Sequence, residues 1–230
     1  MERFPSTSWE LLADASQLGD QSAAARNEFA ERYYSAVLAY IRAITRNGGD
    51  PEDLTQRFFE TVVLSGRLLS HADRQRGHFR PYLKQAIRNY LVDEHRRHSR
   101  MVNPDVRPDT TEDGWNAILT DSSPAPDQEL LRAWGRSLVT MALSRLERSC
   151  TEKKQAEHYQ LFVRRYIADP DRPPSWRDIG EAFGLEEKIA RSRAETAARQ
   201  FRILLRQLVA SDVGTERGID EELQAVMAVL

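Results

Sequence analysis

An all-α fold built from two helical modules follows from three features of the sequence. Apolar residues recur at spacings of three and four, as in Phe29, Tyr33, Val37, Ile41 and Ile44, which is the period of one buried helix face. Helix-start chemistry stands where such runs begin, and no comparable β alternation occurs. The 230 residues hold 33 Lys+Arg against 35 Asp+Glu, a formal charge of −2, which excludes a globally basic binder. With 40% hydrophobic and 30% charged residues and a mean hydropathy of −0.60, the chain can bury one or two small cores beneath a charged surface. No apolar run approaches the roughly 18 residues that span a bilayer. MERFPSTSWELL has neither the cationic start nor the long apolar stretch of a signal peptide, so a cytoplasmic protein without membrane attachment is expected.

The elements follow in order. The Phe29 to Ile44 face defines the first helix. Asp50-Pro51-Glu52-Asp53 then supplies an N-cap, a proline at the first helical position and two acids at the positive end of the dipole. Leu54, Phe58 and Val62 are the expected buried face of this second helix. A third starts after Arg76-Gly77 and buries Phe79, Leu83, Ile87, Tyr90 and Leu91. Further helices are expected at about 130–148, 152–167, 175–183 and 186–209. Ile219, Leu223, Val226 and Leu230 give a short amphipathic helix at the end.

Charge is arranged in blocks. Residues 71–100 carry eight cations against three acids, whereas residues 101–130 oppose seven acids to Arg107 alone and include four prolines. The second stretch reads as a flexible acidic linker. The expected organisation is therefore a helical module over 1–100, a linker over 101–130, a second module over 131–210, and a tail over 211–230 with five acids and one cation. The tail is expected to fold back on the second module, or else to act as a flap over that module's basic helix.

Two constellations carry chemistry. Arg80, Lys84 and Arg88 stand four residues apart, so one face of the third helix presents a cationic stripe that Arg96, Arg97 and Arg100 extend. Asn89, Asp93 and Tyr82 add the hydrogen-bonding and stacking groups that single-stranded bases require. In the second module, Ser175 and Asp178 form a capping-box pattern. Ile179, Gly180, Phe183, Gly184 and Leu185 then satisfy the packing of a helix-turn-helix, with Lys188, Arg191 and Ser192 on early turns able to reach guanine edges and phosphates. On these residues alone, a solvated basic face and an ordinary helical hairpin remain open alternatives.

No catalytic constellation is recognisable, and no cofactor is expected. Cys150 stands alone and reads as a packing residue. His71, His78, His95 and His98 lack the carboxylate or cysteine spacing of a metal site, and the acids Asp50, Glu52 and Asp53 crowd a helix start rather than a nuclease centre.

Together these segments resemble the extracytoplasmic-function group of bacterial RNA polymerase sigma factors. FRPYLKQAIRNYLVDEHRR at 79–97 resembles the family's region-two promoter segment, DPEDLTQRFF at 50–59 the segment that docks on the β′ clamp helices, and SWRDIGEAFGLEEKIARSR at 175–193 the region-four helix-turn-helix. The resemblance implies a promoter-selecting subunit of core RNA polymerase that does no chemistry itself. Asp50, Glu52, Asp53 and Gln56 would contact the β′ clamp; Arg80, Lys84, Arg88, Asn89, Arg96 and Arg97 would hold the minus-ten element as it melts; Glu187, Lys188, Arg191, Ser192 and Arg193 would read the minus-35 element, with region four at the β flap. The acidic linker would thread the RNA exit path and imitate nucleic acid there.

Arg57 departs from the family pattern, which has an acid at that place, and weakens the expected clamp contact. Some relatives with a DLTQ segment are switched on by a Ser/Thr kinase, so Thr55 is read either as a phosphorylation site or as an inert threonine of the helix surface; an anti-sigma factor is the other regulator the resemblance admits. A stand-alone helix-turn-helix regulator and a helical adaptor gripping an acidic protein are the competing functional classes.

Overall fold

A computed structural model describes residues 11–12, 14, 20–45, 49–65, 67–70, 79–102, 124–213 and 216–229. Every regular element among them is helical: α1 Asp20–Ile44, α2 Pro51–Phe58, α3 Arg67–Ser70, α4 Phe79–Val102, α5 Pro124–Glu152, α6 Ala156–Tyr166, α7 Trp176–Phe183, α8 Glu187–Ala210 and α9 Glu216–Val229. They group into two compact units, Met1–Ser137 with Val209–Leu230, and Leu138–Leu208.

The first unit is organised around α1 and α4. All five expected face residues of α1 are buried, as are Phe79, Leu83, Ile87, Tyr90 and Leu91 of α4. Phe29, Tyr33 and Phe79 form an aromatic nucleus with ring centroids 4.7 to 5.9 Å apart. Burial of each such ring is worth roughly 1.5–3 kcal/mol, and offset or edge-on contact adds about 0.5–1.5 kcal/mol. Asp50 caps α2, its carboxylate accepting from the Glu52 amide at 2.9 Å and the Asp53 amide at 3.4 Å. Beyond Phe58 the helix widens to a π-turn over Phe59–Val63, closed by the Leu64 amide donating to the Phe59 carbonyl at 2.8 Å. The extra residue shifts the helical phase. Val63 therefore takes the buried position that constant α periodicity assigns to Val62, which is only half-buried.

The unit division departs from the expected one at both ends of the second module. α5 begins at Pro124, inside the stretch read as linker, and its buried Leu130 and Trp134 belong to the first unit. The tail belongs there too, not on the second module. Its anchor is buried and polar: Tyr33 Oη donates to Asp212 Oδ1 at 2.5 Å, Arg32 Nη1 donates to Ser211 Oγ at 2.5 Å, and Arg32 lies 3.9 Å from Asp212. Burial works against the charge of Arg32, but Tyr33, Asp212 and Glu28 outweigh it, and its pKa ends above the ordinary arginine value. The Asp212 carbonyl also accepts from the amide of Phe79, the first residue of α4, at 3.3 Å. Residues 103–123, which make up most of the expected linker, and His71 and His78 lie outside the described residues.

The second unit has two adjoining apolar clusters. Leu146, Cys150, Phe162, Ala197 and Ala198 form one; Leu161, Ile179, Ala190 and Ala194 form the other, bordered by Trp176, Phe183 and Leu185. The expected capping box is present: Ser175 Oγ accepts from the Asp178 amide at 3.1 Å and the Ser175 amide donates to Asp178 Oδ2 at 3.3 Å. Gly184 ends α7 in the left-handed region at φ 64°. A Cβ on Gly180 would lie 2.7 Å from the Leu185 carbonyl oxygen and 3.3 Å from the Glu187 nitrogen, so α7 and the start of α8 approach closely only because the side chain is missing.

Two substitutions separate these supports. Asp212→Ala leaves the buried Arg32 with Glu28 at 3.5 Å as its carboxylate and removes the acceptor of Tyr33, and should cost the first unit roughly 1–3 kcal/mol in urea unfolding. Gly180→Ala forces the turn between α7 and α8 open at a cost of about 1–3 kcal/mol, confined to the second unit and readable as local loss of amide protection.

Candidate nucleic-acid interface

The cationic stripe on α4 is formed, but each of its three members is already engaged. Arg80 is 20% exposed; its Nη2 lies 2.8 Å from Glu222 of α9, and its guanidinium carbon sits 5.3 Å from the ring centroid of Trp134 on α5. Lys84 Nζ lies 2.8 Å from Asp127 Oδ2, at the start of α5. Arg88 Nε donates to the Tyr40 hydroxyl of α1 at 2.8 Å. Burial pushes the Tyr40 hydroxyl up, only partly countered by Arg88, so the partner of Arg88 is a neutral phenol.

The other end of α4 is more open. Arg96 and Arg97 are 41% and 59% exposed and have their own acids one turn back, Asp93 at 3.9 Å and Glu94. Asn89 is exposed and accepts from Gln85 at 2.9 Å. Tyr82, expected as a stacking group, is half-buried and donates its hydroxyl to the Leu68 carbonyl. The sequence reading missed Glu222, Trp134, Asp127 and Tyr40 as partners of the stripe. Their separations from it run from 43 to 142 residues along the chain, beyond any local pattern.

On α2, Asp50, Glu52, Asp53 and Gln56 are all exposed along one acidic edge. Glu52 pairs with Arg42 of α1, and Gln56 Nε2 donates to Glu60 at 3.1 Å. Arg57 is a clasp: one guanidinium nitrogen meets Asp53 and another lies 3.2 Å from Glu94 of α4, joining the two helices.

Residues 29–101 match the family described as Sigma-70 region 2. That segment, about a third of the chain, is similar to this family. The match runs from Phe29 on α1 to Met101 near the end of α4, and so takes in the acidic edge of α2 and the whole cationic stripe. No curated protein sequence and no solved structure matches the chain at a significant level.

Within the matched segment, Thr55 does not sit where a surface modification would need it. Its side chain is fully buried, and its hydroxyl donates to the Pro51 carbonyl one turn back at 2.7 Å. The expected surface placement of Thr55 is therefore corrected: Thr55 belongs to the inner face of α2, beside Phe58 in the helical pattern. A phosphate there would bring about −1.5 to −2 charges into the core.

In the second unit, Glu187, Lys188, Arg191 and Ser192 are exposed on the first two turns of α8. Arg191 Nε donates to Glu195 at 2.9 Å on the same helix. Arg193 turns the other way and pairs with Glu157 of α6, a half-buried contact that ties α8 down rather than presenting a free cation. Exposed Ile189 lies among these side chains, and Arg199 and Arg202 continue the exposed basic character along the helix. Among the described residues no group of His, Cys, Asp and Glu could hold a metal ion, and no helix is long and apolar enough to cross a membrane.

Burial makes the Thr55 site testable without identifying any kinase. Thr55→Glu should destabilise the first unit by several kcal/mol because it places a carboxylate in apolar surroundings, whereas Thr55→Val should cost about 1 kcal/mol, the worth of one hydrogen bond. Thermal melts of the two variants check this. A Thr55→Glu chain as stable as the parent would return the residue to the surface.

Proposed function

We propose that the chain is a sigma factor of the extracytoplasmic-function type, which directs core RNA polymerase to promoters through two nucleic-acid-binding units. The observation that carries the reading is the coincidence of the Sigma-70 region 2 match with a helix bearing Arg80, Lys84, Arg88, Arg96 and Arg97 beside an acidic, exposed α2 edge. In this reading α4 holds the melted minus-ten strand. Phosphate contacts by the arginines position the strand, and Asn89 with its neighbours offers base-edge hydrogen bonds. Asp50, Glu52, Asp53 and Gln56 dock on the basic β′ clamp helices. Asp53 enters that contact already paired with Arg57, so its share of the attraction is reduced.

The second unit is assigned as region four, reading duplex at the minus-35 element. Support comes from the Ser175 capping box, the close approach at Gly180, the left-handed Gly184 and the exposed Lys188, Arg191 and Ser192 that follow. Arg193 is removed from the base-reading set because Glu157 holds it. Both units serve one event: upstream duplex is recognised by one while the other captures the strand released by melting.

Run-off transcription with purified core polymerase on a promoter library tests the assignment. Arg191→Ala should lose about 1–3 kcal/mol of discrimination at one upstream base, and Arg88→Ala should lower the fraction of open complexes with little change in upstream preference. Tight duplex binding that needs no polymerase would favour a stand-alone regulator. A chain that neither binds core polymerase nor responds to nucleic acid would remove the proposal.

A further inference from the structure

Building on the sigma-factor reading, we propose that the C-terminal tail and the start of α5 form an internal latch that occupies the minus-ten-binding cations in the free protein and competes with DNA for them. The geometry that carries this lies entirely within the first unit. The two leading members of the α4 stripe are held by carboxylates from outside the region 2 segment: Arg80 by Glu222 of α9 at 2.8 Å, and Lys84 by Asp127 of α5 at 2.8 Å. Trp134 closes over the guanidinium of Arg80 with its ring.

The carboxylates stand in for phosphate. Each is a monoanion at hydrogen-bond distance from a cation that a nucleic-acid backbone would otherwise engage, so the strand and the latch are mutually exclusive ligands of Arg80 and Lys84. Because α9 and α5 are joined to α4 by the chain, they hold their acids at high effective concentration without any second molecule.

The latch is anchored at one end by buried polar contacts. Ser211 and Asp212 are buried against Arg32 and Tyr33 of α1, with Asp212 bonding Tyr33 at 2.5 Å. Beyond them, α9 keeps Ile219, Glu222 and Val226 inward, while Asp220, Glu221, Met227 and Ala228 face solvent. In the open latch α9 undocks with its buried Ile219 and Val226, while the Asp212 anchor stays in place. Arg96 and Arg97, towards the other end of α4, pair with Asp93 and Glu94 of their own helix.

The assay uses the full-length chain and a fluorescent single-stranded DNA oligonucleotide of mixed sequence, with and without core polymerase. The double variant Glu222→Gln with Asp127→Asn should bind the oligonucleotide at least about fivefold more tightly than the parent without polymerase, since the more exposed Lys84–Asp127 pair alone is worth up to about a factor of five. Its log–log salt slope should steepen by up to about 1.4, because in the parent the two released carboxylates offset the counterions freed at two phosphate contacts of roughly 0.7 each. In the parent, DNA should raise amide exchange across 216–229 while 211–213 stays protected. Asp127→Asn alone changes an exposed residue and gives half the slope change even if Glu222→Gln perturbs packing.

Equal affinity and slope for parent and variants, with no change in exchange across 216–229, would overturn the latch while leaving the sigma-factor reading intact, provided the parent still binds DNA with polymerase. Failure of every protein to bind the strand with polymerase present would overturn both.

Discussion

A buried cation from one end of the chain and a carboxylate from the other set the constraint on which the first unit rests. Arg32 lies within the apolar face of α1, fully removed from water, and an arginine in that position is tolerable only if something neutralises it. Ser211 and Asp212, 179 residues or more along the chain, provide the partner atoms. Because the same Asp212 carboxylate takes the Tyr33 hydroxyl, one acidic residue satisfies two groups on α1 beside the Phe29, Tyr33 and Phe79 nucleus. The last segment of the chain is thus part of the core of the first unit, not an appendage. The segment that matches Sigma-70 region 2 thus packs with residues that lie outside it.

This architecture gives charge two different jobs. Buried pairs such as Arg32 with Asp212 fix which segment packs where, since any other register would leave a charge uncompensated. Half-exposed pairs such as Lys84 with Asp127, or Arg57 with Asp53 and Glu94, hold less tightly and can exchange partners when a stronger ligand arrives. The molecule's small net charge is the sum of 33 basic and 35 acidic residues, whichever of them pair. Cationic surface on α4 and its acidic counterparts come from separate parts of the sequence, and folding brings them together.

Much of the helical plan was legible in the sequence because its signals are local. Periodicity identified the inward faces of α1 and α4 residue by residue, the Asp50 and Ser175 caps marked two helix starts, and Gly184 marked the end of α7. The π-turn was not legible: nothing in Phe59–Val63 signals an inserted residue, and constant periodicity put Val62 where Val63 is buried. Thr55 failed for a related reason. A threonine between acids and a glutamine reads as surface, yet the narrow apolar face of α2 includes it, and its hydroxyl is satisfied by its own helix. The tail's location depended on partners more than 140 residues away, which no window of sequence contains. Arg193 looked like its neighbour Arg191 in composition, and only the position of Glu157 on α6 separates a tethered arginine from an exposed one.

The bond from the Phe79 amide to the Asp212 carbonyl involves no side chain at either end. Substitutions at 79 or 212 can alter what surrounds this bond, but none short of proline at 79 deletes its donor, and none at 212 deletes its acceptor. Alanine scanning is therefore blind to it. What natural variation must keep is the spacing between α8 and the turn that follows, so insertions and deletions near 210 should be far rarer among descendants of this chain than changes of residue identity there.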